Sequence, residues 1–221
     1  MKKCAVVFGI VLTFCIVALS PALAQVPINV NIGTQHFANG STVGTGTFNT
    51  AVGGQPAPFN AFCGSDITAN CTASWTFTYS NLSGLTISVA TLTLGILDID
   101  SAAAGNQVAS FILNGTDDLT GALNAASEGL NGGAGAPNSQ YDVLTMSIPS
   151  TYFTDLQSGT ATFALTLQGP GLGVLGNTTD NGAGLDFSSL YIDTPEPTSW
   201  TFVLIGLLCI GIKLVLNKGT A

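Results

Sequence analysis

The sequence predicts an all-β protein: a single β-sandwich, jelly-roll-like, over residues 25–194, between an N-terminal signal peptide (1–24) and a C-terminal transmembrane helix (about 199–216). Three observations carry this. Short runs alternate apolar and polar residues along the middle of the chain. Turn dipeptides separate the runs. Strong helical periodicity is absent outside the two ends.

The elements follow in order. Ile28, Val30 and Ile32 alternate with polar residues and predict a first strand. Residues 43–48, rich in Thr and Gly, read as extended. Trp75, Phe77 and Tyr79 alternate with Thr76, Thr78 and Ser80. Residues 85–99 form a long β-branched run that changes phase: Leu85, Ile87 and Val89 give way to Leu92, Leu94 and Ile96. Such a change without a turn predicts a bulge, or a strand passing between sheets. Residues 108–113, 143–148, 160–167 and 185–192 complete about eight strands. Residues 118–129 predict a short helix and 150–156 one helical turn. Turns are expected at Asn39-Gly40, Ser83-Gly84, Asn114-Gly115, Ser158-Gly159 and Asn181-Gly182.

Charge is distributed unusually. The chain has four basic residues in 221, and all four, Lys2, Lys3, Lys213 and Lys218, lie near the ends. Twelve carboxylates less Glu196 leave eleven between residues 25 and 194. That stretch therefore forms no Lys or Arg salt bridge and no basic clamp on phosphate. Nucleic acid is excluded as its partner, because binding it requires neutralising phosphates. An acidic surface instead gathers cations.

Of five cysteines, Cys63 and Cys71 alone lie in the exported stretch. An isolated pair in an oxidising compartment predicts a disulfide. A loop that short stabilises by about 2–3 kcal/mol in the chain-entropy account.

The two ends are targeting segments. Lys2 and Lys3 precede an uncharged apolar stretch, 4–19, and Ala22-Leu23-Ala24 fits the small-x-small pattern of signal peptidase. Cleavage after Ala24 leaves Gln25 first. At the other end, residues 199–216 would make about 27 Å of helix, close to the ~30 Å hydrocarbon core. Trp200 sits where an interfacial aromatic belongs, and the stem of Lys213 lets its ammonium reach the opposite interface. The lysines lie on the C-terminal side, so that end stays cytoplasmic and residues 25–194 face outward.

Pro195-Glu196-Pro197, the apolar run after it and the sparse cationic end stand in a fixed order. This resembles the PEP-CTERM sorting signal of Gram-negative bacteria. The tripeptide matches in full; where that family usually closes on clustered Arg, this chain has Lys213 and Lys218. The resemblance covers about an eighth of the chain. It implies an exosortase-like membrane transpeptidase as partner, cleavage near the motif, and delivery to the cell surface or extracellular matrix. It further implies a structural or adhesive role in an exopolysaccharide or biofilm layer, with the chain as substrate and not enzyme. A lectin-like carbohydrate-binding module is the alternative, and a secreted polysaccharide hydrolase the third reading.

Other motifs carry less. The run 171–176 spells a dinucleotide fingerprint but opens onto Asn177-Thr178-Thr179-Asp180 and not a helix, so it reads as a Gly-rich loop. His36 is the single His, no Gly-x-Ser-x-Gly elbow accompanies it, and it reads as a surface or packed residue. Glu128 is the single Glu of the exported stretch, so a glycosidase would rely on paired Asp residues. Asp98 and Asp100, at i and i+2, place two carboxylates on one strand face, with Asp186 as a third oxygen ligand and Asp117 and Asp118 as further ones. Calcium would relieve their repulsion; two solvated carboxylates at a strand end is the simpler reading. Phe37, Phe48, Phe59, Phe62, Trp75, Tyr79, Tyr141, Tyr152, Phe153 and Tyr191 would serve either as a sugar platform or as core, and Trp75, alternating in its strand, favours core.

Overall fold

The computed structural model describes residues 27–65, 67–99, 106–131, 139–168 and 180–195. In chain order these form β1 (Ile28–Gly33), β2 (Ser41–Thr42), α1 (Thr45–Val52), β3 (Phe62–Cys63), β4 (Thr72–Thr78), β5 (Val89–Leu97), β6 (Val108–Leu113), β7 (Asp117–Asp118), α2 (Thr120–Asn131), β8 (Gln140–Ser147), a 3₁₀ helix (Ser150–Leu156), β9 (Thr160–Leu167) and β10 (Ala183–Asp193). They build two antiparallel sheets. One runs β1-β10-β5-β8-β2, with β3 also pairing with β10; the other runs β4-β9-β6-β7. Residues 27–193 make one compact unit.

Alternation creates the core. Along β4, Ala73, Trp75 and Phe77 are buried while Thr72, Ser74, Thr76 and Thr78 are exposed. They face Ala90, Leu92, Leu94 and Ile96 of β5 and Leu144 and Met146 of β8 in a single apolar cluster. Trp75 is its hub, with ring centroids 5.6 Å from Phe59, 5.8 Å from Phe163 and 6.1 Å from Phe111. Burying each such ring contributes about 1.5–3 kcal/mol, offset by the ordering entropy of its residue. Outward positions are held by Thr–Thr pairs across strands, Thr76 with Thr162 at 2.9 Å and Thr93 with Thr145 at 3.0 Å.

The expected helix over 118–129 forms as α2. Asp118 Oδ1 accepts from the Thr120 N–H at 2.9 Å ahead of its first turn. The expected turn at 150–156 forms as the 3₁₀ helix.

Three expectations are corrected. Residues 43–48 are not extended: α1 begins at Thr45, and the Phe48 N–H bonds to the Gly44 carbonyl at 3.0 Å. Phe48 and Val52, four apart, are both fully buried on one helix face. Packing of that face outweighs the weak helix propensity of Thr and Gly. The phase change near Val89 marks the start of β5, not a bulge within the run: Leu85 and Ile87 lie before the strand, and Val89 is 44% exposed. Asn181-Gly182 is not a hairpin turn; it leads directly into β10. Asn181 is fully buried, its amide donating to the Ile99 carbonyl at 2.8 Å.

A second, smaller apolar cluster covers the outer face of the first sheet: Val43, Phe48, Val52, Leu97 and Tyr141. Helix α1 and the segment before it therefore close one end of that sheet on its second side.

Candidate functional site

The one bulge between β10 and β5 builds the most unusual site among the described residues. Leu185 pairs with Ile96 and Phe187 with Gly95, so Asp186 is the extra residue. A bulge re-aims the side chain it carries, and here it delivers a carboxylate to the side of the sheet where Tyr141 lies. Asp186 is fully buried. Its Oδ2 accepts from the backbone N–H of His36 and the hydroxyl of Tyr141, each at 2.8 Å. Its Oδ1 meets His36 Nδ1 at 2.7 Å. A carboxylate there only accepts, which places the proton on Nδ1.

Glycines make the room. A Cβ on Gly95 would collide with the Tyr141 hydroxyl and the Phe187 ring, and one on Gly33 with the Asp186 carbonyl. Gly33 also sits at φ 78°, open to glycine at little cost. Phe37 packs edge-on against Tyr141 at 5.4 Å and stacks on Phe48 at 5.9 Å. Burial first, then the hydrogen bond and charge of Asp186, push the Tyr141 phenol far above its ordinary range, so it stays a neutral donor.

The His36–Asp186 pair orients an imidazole, as the base of a hydrolase requires. Among the described residues no Ser, Thr or Cys hydrogen-bonds to that imidazole. Its demonstrable effect is structural: it ties the segment after β1 to the bulge of β10, 150 residues away.

The other expected site residues are taken in turn. Asp98 is 6% exposed, follows β5 at φ 62°, and its Oδ1 accepts from the Ser139 N–H at 2.9 Å. Asp100 lies outside the described residues. Both oxygens of Asp186 are occupied by His36 and Tyr141, and among the described residues no three of His, Cys, Asp and Glu converge as a metal site. Cys63 and Cys71 are bonded, with Cα atoms 5.0 Å apart, inside the usual bridging range. Pro195 is exposed two residues beyond β10. Glu196, Pro197, Ala22, Ala24 and the segment 199–216 lie outside the described residues. No helix among the described residues is long and apolar enough to cross a membrane.

A sugar platform built on Trp75 is corrected, since the ring is 5% exposed at the centre of the core. Phe48, Phe59 and Tyr141 are likewise buried.

Sequence reasoning missed the partnership of His36, Tyr141 and Asp186. The available signal was an Asp set between Leu185 and Phe187 in a predicted strand, which demands a partner if that strand is buried. Which partner was not readable, because register and bulge decide it.

No family model matches the chain, and no curated protein matches it. Among solved structures it is similar to CBM35 from Cellvibrio japonicus Abf62, with 10% identity and a TM-score of 0.35, over 74% of this chain and 92% of that one. It is also similar to the ANXUR2 extracellular domain from Arabidopsis thaliana, with 13% identity and a TM-score of 0.27, over 78% of this chain and 44% of that one. Likeness at these scores says nothing of what the chain binds.

Proposed function

We propose that this chain is an exported precursor, matured by signal peptidase and then by an exosortase-type enzyme. Its sandwich is a structural or adhesive component of a cell-surface or exopolysaccharide layer. One observation carries the reading: a signal-like N-terminus, an acidic β-domain, Pro195-Glu196-Pro197, an apolar run and terminal lysines follow one another in a single chain. The fold supports it in two ways. Ile28 pairs with Ile192, so both chain ends leave the domain at the same end of the same sheet. The ladder stops at Asp193, and Pro195, lacking an N–H, cannot extend it. A processing site there would lie outside the sheet's hydrogen bonding. The strand order, with the long strands switching between two sheets, supports a jelly-roll reading of the sandwich.

The test is intact mass and fractionation of the native protein, with Pro195, Glu196 and Pro197 changed to Ala as control. A form ending near residue 195, found outside the inner membrane only when the motif is intact, supports sorting. A full-length mature chain held in the inner membrane in both cases overturns it.

A lectin-like role is the second reading. The feature that favours it is the uncharged, hydroxyl-rich outer face of β4, where Thr72, Ser74, Thr76 and Thr78 are all exposed. Polysaccharide pull-down separates the readings: retention that is lost on changing Thr72 and Thr76, which flank Ser74 on that face, to Lys favours the lectin.

A further inference from the structure

The apolar cluster around α1 reaches along the outer face of the first sheet as far as Val143, which pairs with Gly95. Beyond it, toward Val89, the outward side chains stand in two rows across four strands. In one row Tyr191 of β10 lies between Asn29 of β1 and Thr91 of β5, with Ser147 of β8 opposite Thr91. In the next, Ser189 lies between Asn31 and Thr93, with Thr145 opposite Thr93. The residues that alternate with them, among them Leu92, Leu190 and Met146, are buried in the core, so both rows point away from it. Across the rows the Thr93 and Thr145 hydroxyls meet at 3.0 Å, and Ser189 Oγ donates to Asn29 Oδ1 at 3.4 Å. Asn29, Asn31, Thr145 and Ser147 are exposed, and Tyr191 is half-buried.

The strip is about 14 Å long across three strand spacings, with about 7 Å between its rows. Neither row holds a charged residue. The acid at its border, Asp193, lies opposite Val89 and accepts from the Ser88 hydroxyl at 2.9 Å. Among the described residues, the Tyr191 hydroxyl and the side chains of Asn31, Thr91 and Ser147 have no hydrogen-bond partner within the protein. The outer face of β4 differs, since the Ser74 hydroxyl donates to the Phe163 carbonyl at 3.0 Å and Thr76 is paired with Thr162. A rigid, amphipathic Tyr among Ser, Thr and Asn is a composition suited to binding a polar partner. The apolar content, the Tyr191 ring and Val89 at the border, is too small for the core of a protein interface. A polyanion finds no Lys or Arg between residues 25 and 194 and is repelled by the acids there.

We propose that this strip binds a neutral glycan chain lying across the strands, with the C–H face of one sugar on the Tyr191 ring and sugar hydroxyls bonded to Asn31, Thr91 and Ser147. The inference rests on the lectin-like reading and deepens it, by moving the site from the face of β4 to the opposite sheet and by fixing the ligand as uncharged.

The test is binding of the full-length chain, in mild detergent, to an array of neutral gluco-, xylo- and manno-oligosaccharides beside uronate-bearing ones. The parent is expected to bind neutral glycans and not the uronates. Tyr191→Ala should bind at least about tenfold more weakly, as truncation of a central aromatic anchor does. Ser147→Glu, at an exposed position where the core is untouched, should weaken binding as well. Thr72→Lys with Thr76→Lys, on the other sheet, should bind as the parent does. Thermal midpoints show that each variant is folded. Binding lost in the Thr72 and Thr76 variant but kept in Tyr191→Ala and Ser147→Glu overturns this site while leaving the lectin-like reading standing. A parent that binds no neutral glycan overturns both, and uronates bound as well as neutral glycans overturn the stated ligand.

Discussion

His36 Nδ1 lies 2.7 Å from Asp186 Oδ1, a contact closed across 150 residues of chain. It is possible because a bulge in β10 turns one acid out of the alternation and Gly33 and Gly95 leave space around it. The carboxyl then satisfies a backbone N–H, a ring N–H and the Tyr141 hydroxyl together. A fully occupied polar cluster of this kind specifies one register of β10 against β5, because a slip by one residue would bury the acid without partners.

Asp186→Ala should lower unfolding free energy by about 2–4 kcal/mol, since it leaves the buried Tyr141 hydroxyl and the His36 N–H without an acceptor. Tyr141→Phe should cost only about 1 kcal/mol, because the donor is removed with its demand. Urea unfolding followed by the fluorescence of Trp75, buried in the core, reads both. Equal costs for the two variants would refute the asymmetry.

Gly95→Ala should destabilise by about 1–3 kcal/mol through overpacking against the Tyr141 hydroxyl and the Phe187 ring. Combined with Tyr141→Phe it should cost less than the sum of the two, since the obstructing oxygen is gone. Strict additivity in a double-mutant cycle would mean the strain lies elsewhere.

Reducing the Cys63–Cys71 bridge should cost about 2–3 kcal/mol. The bridged loop carries Gly64 at φ 69°, where a Cβ would strike the backbone of Asn70 and Cys71. Gly64→Ala should therefore destabilise with the bridge intact. A dithiothreitol series during thermal unfolding measures the first effect; an unchanged Tm would show that the loop is held without sulfur.

Stability should depend on the protonation of Asp117. Burial, and then Asp155, raise its carboxyl above the usual range, against the lowering by the Thr116 hydroxyl. A folded pKa above the unfolded one means the native state binds the proton more tightly. The contribution is present below the unfolded value, near 3.8, and is lost as pH rises through the folded value. Asp117→Asn should thus exceed the parent in stability at pH 7, with the difference shrinking toward acid. A difference constant with pH would exclude titration of Asp117 as its cause.

Much of the fold was legible because alternation is a local signal. Trp75 and Phe77 in β4, and the hydrophobic positions of β9, stand in the sequence at the period of two that a half-buried strand requires. The disulfide was legible from Cys63 and Cys71, an isolated pair between residues 25 and 194. Helix α1 was not, since Phe48 and Val52 define a helical face only once Gly184 offers the bare backbone that Phe48 packs on.

The sequence by itself determined the all-β character, the paired cysteines and the acidic domain without basic residues, because composition and short-range period depend on no distant partner. Tertiary structure alone decided that Asp186 meets His36 and Tyr141. Those pairings depend on a bulge and on strand register, which are properties of how the sheets pair and not of any segment read alone.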